Sequence, residues 1–276
     1  PQSTLAETYA QIYKDLDDAI KLFTSSGKKR ASGKNFDVDI NVAYATYARA
    51  ALNKQDYPNA ESYAQKARVG YPLMNTTDYK AGFCNPTSEW IWSSYGASDE
   101  TLYFYSYFAY IAYNSTASAV RTYPKCINKV LYNQIPATDI RRGLFLNPTG
   151  YTYNTSTGQA SAALATYGRT LFPALQSNAT LYAFMQFKVK ANDMPGVGHL
   201  NHFRSSEMYL IEAEAKYFQN KPATDIQNLL VELTKTSGRD PSYSCTKTGA
   251  DLLNEIKLYR AIELWGEGFD WFDLKR

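Results

Sequence analysis

Apolar side chains recur every three or four residues near the start of the chain and again near its end. In residues 4–23 they are Leu5, Tyr9, Ile12, Leu16, Ala19 and Phe23. This spacing places them on one face of a helix, and Ser3 or Thr4 can cap its N-terminus. From residue 204 the same period returns over a wider apolar face, so we expect a helix there that makes contacts on two sides.

Residues 38–72 combine the helical period with small side chains. Asp39 can cap a first helix, residues 53–56 turn the chain, and Pro72 closes a second helix. Small or aromatic residues occupy the positions where the two helices would cross: Tyr44, Tyr47, Ala48, Ala51, Ala60, Ala64 and Ala67. Tetratricopeptide repeats use this arrangement. The pattern predicts either such a repeat or a generic alanine-rich helical hairpin.

Between these helical parts the period fades, and proline, glycine, asparagine and serine become frequent. Residues 89–93 have the pattern of a short strand, and residues 184–190 alternate like another. Residues 101–113 carry an aromatic side chain at almost every other position, which fits an extended segment or one face of a helix. We therefore expect an irregular, loop-rich insert.

The length of 276 residues is enough for one large domain or two small ones, and most of the patterned stretches are helical. Helix pairs occupy residues 1–72 and 199–276, and the loop-rich, aromatic-rich insert occupies residues 73–198.

The composition excludes several classes of protein. A net charge of +3 without basic runs does not indicate nucleic-acid binding. No run of about 18 apolar residues is present, so we expect no membrane-spanning helix. The three cysteines form no C-x-x-C pair, which argues against metal ribbons and thioredoxin-like redox sites.

Catalytic arrangements are not indicated either. Glu212 and Glu214 are two residues apart and would point to different faces of a helix, whereas a glycosidase needs two carboxylates at a controlled separation. His199 and His202 are the two histidines, and no third metal ligand is evident beside them. We predict no catalytic residue, no metal ligand and no cofactor.

Aromatic side chains offer the clearest binding chemistry. The chain has 24 Tyr against 13 Phe, and a tyrosine or tryptophan presents a flat apolar face together with a polar group. Such faces stack on sugar rings. The candidate ligand-binding residues are Trp90, Trp92, Tyr95, Tyr103, Tyr105, Tyr107 and Tyr110. The alternative is that most of them belong to the core, as large aromatics usually do.

Two long motifs resemble the signatures of SusD/RagB-like proteins. Residues 204–215, RSSEMYLIEAEA, are similar to the family's R-x-x-E-x-Y-L-x-x-A-E-A helix. Residues 262–276, IELWGEGFDWFDLKR, are similar to its I-E-L-x-x-E-G-x-R-W-x-D-L-x-R signature. Residues 41–72 resemble its repeat helices, residues 89–92 the strand that follows, and residues 139–141 its D-x-R turn.

The closing motif departs from the family pattern at two positions. Ala261 stands where the family usually has arginine, and Asp270 where it often has arginine or histidine, so the ion pairs there differ. We expect four large aromatics of this stretch to hold the last helix against the rest of the chain: Trp265, Phe269, Trp271 and Phe272.

The resemblance implies a mainly α fold in a single domain, residues 1–276. Tetratricopeptide-like helix pairs then form an α-α superhelical scaffold, and the loop-rich insert carries the ligand site. The resemblance also implies a Bacteroidota outer-membrane lipoprotein, exposed at the cell surface, that captures glycans without catalysis. Its partner is then a SusC-like TonB-dependent transporter. The family's N-terminal third and its end are not in this sequence, so we expect a fragment without the signal and the lipidated cysteine. The family's sugar contacts lie outside its motifs, and none is carried over.

Three other interpretations stay open. A tetratricopeptide adaptor would bind a peptide in its concave groove, and we would then expect asparagine, lysine or arginine where Tyr44, Tyr47 and Ala48 stand. A SusD-like protein for peptides or another non-glycan nutrient is also compatible with the motifs. A glycosidase would show turnover in a reducing-sugar assay.

Overall fold

The computed structural model describes residues 3–99 and 105–276, and its architecture is mainly α, as predicted. The helices are α1 (Leu5–Ser26), α2 (Ile40–Lys54), α3 (Tyr57–Ala67), α4 (Thr76–Tyr79), α5 (Tyr107–Ile111), α6 (Ser118–Arg121), α7 (Lys129–Gln134), α8 (Ala162–Leu171), α9 (Ser205–Phe218), α10 (Ala223–Val231), α11 (Gly249–Glu263) and α12 (Asp270–Lys275). A 3₁₀ turn spans Ile140–Leu144, and a π-helical turn spans Glu232–Thr236. Strands β1 (Trp90–Ser94) and β2 (Leu200–Arg204) pair in antiparallel orientation.

Helix α1 begins with a capping box. The Thr4 hydroxyl accepts a hydrogen bond from the Glu7 backbone N–H, and the Thr4 N–H donates to the Glu7 carboxylate at 2.7 Å. These bonds satisfy backbone and side-chain groups that a helix start leaves unpaired. The helix predicted for residues 4–23 is confirmed, and it continues to Ser26.

Helices α2 and α3 form the predicted hairpin. Asp39 and Asp56 accept hydrogen bonds from backbone N–H groups at the start of α2 and α3. Four alanines of the contact have no accessible surface: Ala48, Ala51, Ala60 and Ala64. Because an alanine adds so little bulk, the two helices pack closely, and α9 packs onto the same core.

Helix α9 lies between two layers, as its wide apolar face predicted. Met208 and Ile211 belong to the core shared with α2 and α3, whereas Leu210 and Ala213 pack with residues of α10 and α11. Helix pairs on both sides therefore form one continuous scaffold around α9.

Eight charged side chains meet beneath this scaffold, and we call them the buried charge cluster: Glu89, Asp139, Arg141, Lys188, Arg204, Arg239, Glu263 and Glu267. Arg204 contacts the carboxylates of Glu89 and Glu263 at 2.7 Å each. Arg239 contacts the same two carboxylates at 2.9 and 3.1 Å. The residue before β1, the end of β2, the segment after the π-helical turn and the end of α11 are joined in this way.

Charge balance explains how the cluster tolerates burial. It contains four acids and four bases, and a buried charge is acceptable when it is paired and hydrogen-bonded. Burial alone would raise the pKa of Glu263. Arg239, Arg204 and Arg141 outweigh burial and hold that pKa well below its usual value. The carboxyl of Glu89 has a lowered pKa for the same reason.

Two local expectations are wrong. Residues 184–190 form no strand among the described residues, because their backbone makes isolated bridges with Cys126 and Phe145 instead of a ladder. In the closing stretch, Trp265 packs against Phe145 with ring centroids 5.0 Å apart, but Trp271 is 62% exposed and Phe272 is 58% exposed. These last two aromatics do not anchor α12.

Within residues 3–99 and 105–276, no helix is both long and apolar enough to cross a membrane.

Candidate functional site: an aromatic cavity

Three segments of the insert and its border meet beside the small sheet. They are the chain that leaves β1 (residues 95–99), the start of α5 (residues 105–108) and the loop that enters β2 (residues 196–200). Ser106 caps α5 by accepting a hydrogen bond from the Ala109 N–H at 3.2 Å, and its hydroxyl donates to the Gly196 carbonyl. The cap of α5 thus fixes the loop as well.

Two glycines let the loop lie directly on α5. A Cβ atom at Gly196 would be 2.3 Å from the Ala109 backbone nitrogen, and one at Gly198 would be 2.7 Å from the Phe108 ring. Both distances are far shorter than van der Waals contact, so any side chain there would force loop and helix apart.

The three segments enclose a cavity of about 580 Å³, which we call the aromatic cavity. Tyr95, Tyr105 and Tyr107 line it, together with apolar groups of Val197 and Leu200. Tyr95 is 54% exposed and Tyr105 is 75% exposed, so both rings are accessible to a ligand. The cavity therefore offers aromatic faces that the protein core does not use.

Asp99 is the one charged residue among the described residues that line this cavity. No lysine or arginine of the described chain contributes to its wall. The described part of the wall thus gives a negatively charged ligand no counter-charge, which disfavours such a ligand.

Tyr107 connects the cavity to the end of the chain. Its hydroxyl donates a hydrogen bond to the Gly266 carbonyl at 2.9 Å, and its ring lies against Phe108 with centroids 5.2 Å apart. Burial, and then the nearby Glu267 carboxylate, raise the pKa of this hydroxyl above its ordinary value. The Tyr107 hydroxyl is thus bound within the protein, and we expect this ring to act as a fixed wall.

An aromatic rim continues outward from Tyr95. The Tyr95 ring contacts Phe36 and His199, with centroid separations of 5.5 and 5.1 Å. The ring centroids of Trp92 and His202 lie 4.5 Å apart, and the Trp92 indole N–H donates a hydrogen bond to the Phe36 carbonyl at 3.3 Å. Burial lowers the pKa of both histidines, which favours neutral rings in this rim.

The structure treats the seven candidate residues differently. Tyr95, Tyr105 and Tyr107 line the cavity, and Trp92 lies in the adjoining rim. Tyr110 is exposed but is not part of the cavity wall. Tyr103 lies outside the described residues. That these accessible side chains contact a ligand stays a prediction.

Trp90 requires a correction. Its side chain has no exposed surface and packs in the core with Met74, Tyr79 and Tyr132. A ligand cannot reach it, so Trp90 is a core residue and not a binding residue.

Several contributors to the site did not stand out in the sequence. Phe36 comes from a polar loop far from the insert, and no pattern connects it with Tyr95. Asp99 and Leu200 were not singled out either. The closely spaced Gly196 and Gly198 were the available signal, because glycines mark places where backbone must approach other atoms.

No group of three histidine, cysteine, aspartate or glutamate side chains in residues 3–99 and 105–276 is arranged to hold a metal ion.

Fold and cavity define a tetratricopeptide-like helical scaffold that carries an aromatic cavity in an irregular insert. The family model of the SusD family matches residues 49–276, more than three quarters of the chain. The chain therefore belongs to the SusD family. No curated protein matches it.

Solved structures share the fold. A SusD-like carbohydrate binding protein from Bacteroides vulgatus is 25% identical, with a TM-score of 0.75 over 99% of this chain and 52% of that one. Surface glycan-binding protein A from Bacteroides thetaiotaomicron, in complex with laminarihexaose, is 16% identical, with a TM-score of 0.65 over 96% of this chain and 60% of that one. The chain thus spans between half and three fifths of the length of these two proteins.

Proposed function

We propose that this chain is the glycan-capturing part of a nutrient-uptake protein and that uncharged oligosaccharides bind in the aromatic cavity without being cleaved. The observation that carries the proposal is the convergence of Tyr95, Tyr105 and Tyr107 on one cavity of about 580 Å³. Cavities of this size are typical of sites for small ligands.

The chemistry of a sugar ring fits these walls. The C–H groups of a pyranose form an apolar face that stacks on a tyrosine ring, and the tyrosine hydroxyls remain free to hydrogen-bond at the edge. Each stacking contact of a sugar with one of the three tyrosine rings is weak by itself. A longer oligosaccharide gains affinity by contacting the aromatic rim at Trp92 as well.

Membership of the SusD family supports the wider part of the proposal. In this view the whole protein is exposed at the outer-membrane surface through a lipid anchor and delivers its ligand to a SusC-like TonB-dependent transporter. The laminarihexaose bound to a structural relative makes a β-glucan the first ligand to try. The helix pairs at residues 1–72 and 199–276 then act as scaffold, and residues 73–198 supply most of the site.

Calorimetric titration of the chain with laminarihexaose and a panel of neutral oligosaccharides tests the proposal. The double variant Tyr95→Ala/Tyr105→Ala removes two accessible rings, and we expect at least a tenfold loss of affinity, or about 1.4 kcal/mol. Both side chains are largely exposed, so the fold should persist. Tyr123→Ala is the matched control, because Tyr123 is 69% exposed and lies outside the cavity.

Unchanged affinity in the double variant would refute the cavity as the glycan site. Binding of peptides with no binding of any glycan would favour the adaptor interpretation. Release of reducing sugar from a bound oligosaccharide would contradict the non-catalytic role.

A further inference from the structure

A second cavity, of about 560 Å³, lies between the 3₁₀ turn at Ile140–Leu144 and the end of α8. Among the residues that the structure describes, none lines both this cavity and the aromatic cavity. Its walls include Tyr132, Tyr167 and Phe172, and its charged groups include Arg142 and Lys80. The second cavity thus combines flat apolar faces with cationic side chains. The described part of the aromatic cavity has no cationic side chain in its wall.

Arg142 is held rigidly in this second cavity. Its Nη1 donates to the Ile135 carbonyl at 2.5 Å and to the Tyr132 carbonyl at 3.5 Å. Its guanidinium carbon lies 4.5 Å from the centroid of the Tyr132 ring. A guanidinium has five N–H donors, and these contacts leave several of them for a ligand.

No carboxylate neutralises Arg142 or Lys80 within ion-pair distance in the described parts of the chain. Asp139 is the one acidic residue among the lining residues that the structure describes. Its carboxylate is buried and contacts Arg141 at 2.6 Å, so its charge is already balanced inside the protein. The cavity therefore has an uncompensated positive charge.

The aromatic walls are also fixed. Tyr167 stacks on Tyr151 with ring centroids 5.1 Å apart, and Phe172 stacks on Phe187 at 3.6 Å. Because these rings have partners on one side, their orientation does not depend on a ligand. A flat molecule entering the cavity meets a preformed surface beside a preformed cation.

We propose that this second cavity binds a ring compound that carries a carboxylate, with the carboxylate on Arg142 and the ring against the aromatic wall. A planar carboxylate matches the fork of a guanidinium, which gives short, charge-assisted hydrogen bonds. An acidic sugar such as a hexuronate and an aromatic acid share this chemistry. The inference does not depend on the function of the aromatic cavity.

Ligand-observed NMR titration of the full chain with glucuronate, benzoate and glucose tests the proposal. Glucuronate and glucose differ in one carboxylate, and benzoate replaces the sugar ring by an aromatic one. We expect at least one of the two acids to bind about tenfold more tightly than glucose, and Arg142→Gln to remove this advantage. Whichever acid binds identifies the source of the carboxylate.

Two further variants distinguish the loss of the binding site from unfolding of the protein. Lys80→Gln changes an exposed side chain, so the fold should persist, and we expect a twofold to threefold loss of acid binding that grows smaller at high salt. Tyr123→Ala is the matched control, because Tyr123 is 69% exposed and lines neither cavity, and it should leave acid binding unchanged. Failure of both acids to bind better than glucose, or equal binding by Arg142→Gln, would overturn the proposal.

Discussion

The buried charge cluster and the aromatic cavity use polar chemistry in opposite ways. In the cluster every charge faces an opposite charge inside the protein, as Arg204 does between Glu89 and Glu263. In the cavity, Tyr95 and Tyr105 leave most of their surface without a protein partner. The charges of the cluster pair with one another and stabilise the fold. The tyrosine rings of the cavity stay accessible to a ligand.

The difference also separates the family signature from the ligand site. Six of the eight cluster residues belong to the motifs by which the chain resembles SusD/RagB-like proteins, and none of the residues lining the aromatic cavity does. The motifs therefore identify the scaffold and say nothing about the ligand. On the function that we propose, a change of ligand needs changes in three loop segments and no change in the cluster.

Removing one arginine of the cluster should have the largest effect. Arg204→Met leaves the carboxylates of Glu89, Glu263 and Glu267 short of a partner in a buried site. We expect the free energy of unfolding to fall by about 3–5 kcal/mol, because an unpaired buried charge keeps its desolvation cost. Urea denaturation, followed by circular dichroism, measures this change in the free energy of unfolding.

The control is an ion pair on the surface. Lys14→Met removes the partner of Asp18, and both side chains are largely exposed, so we expect a change below about 1 kcal/mol. If Arg204→Met were equally mild, the cluster would not be the device that holds the scaffold together.

Acid should weaken the protein through the same cluster. The carboxyls of Glu89, Glu263 and Glu267 have pKa values below the ordinary 4.5. Their contribution to stability is present above that value and is lost as the pH falls toward the lowered pKa values. We expect a loss of about 1.4 kcal/mol per pH unit for each extra proton that the unfolded chain binds.

Urea denaturation at a series of pH values from 7 to 3 measures this loss. The slope below pH 4.5 should be smaller in Arg204→Met, because that variant loses a cause of the lowered pKa values. Constant stability across the series would contradict the assigned charges.

A substitution where the loop of the aromatic cavity packs on α5 should reduce stability by a smaller amount. In Gly196→Ala the new methyl group meets the Ala109 backbone, so loop and helix must separate. We expect a loss of about 1–3 kcal/mol of stability together with weaker glycan binding, since Tyr107 moves with α5. Gly143→Ala is the control, because nothing lies within 4 Å of its Cβ position. Unchanged stability and affinity in Gly196→Ala would show that the wall is not tightly set.

Periodic parts of the chain could be predicted well. The apolar stripe that begins at Leu5 and the period that returns from residue 204 gave the positions of α1 and α9, because helix packing depends on spacing along one segment. Residues 184–190 show the limit of such patterns. Their alternation indicated a strand, but Met185, Gln186 and Phe187 are all buried, with neighbours on both faces. Burial on both faces is decided by tertiary contacts.

The site was predictable in kind but not in detail. Tyr95, Tyr105 and Tyr107 were among the candidates, and they do meet in one cavity. Trp90 and Trp92 looked equivalent in the sequence, but the register of β1 shifts between them, so one is buried and the other reaches the rim. A bulge of this kind leaves no mark in the pattern of residues.

The reach of the charge cluster along the chain has a consequence for biosynthesis. Glu89 bonds to Arg204 and Arg239, which follow it by 115 and 150 residues. Contacts this distant require large loops to close, whereas the hairpin of α2 and α3 needs only its neighbours. During translation the hairpin can therefore form early, whereas the contacts of Arg204 and Arg239 with Glu263 form only after Glu263 has left the ribosome. Until Glu263 and Glu267 have been synthesised, the cluster has two acids against four bases, so its charges balance only when the end of this sequence has been made.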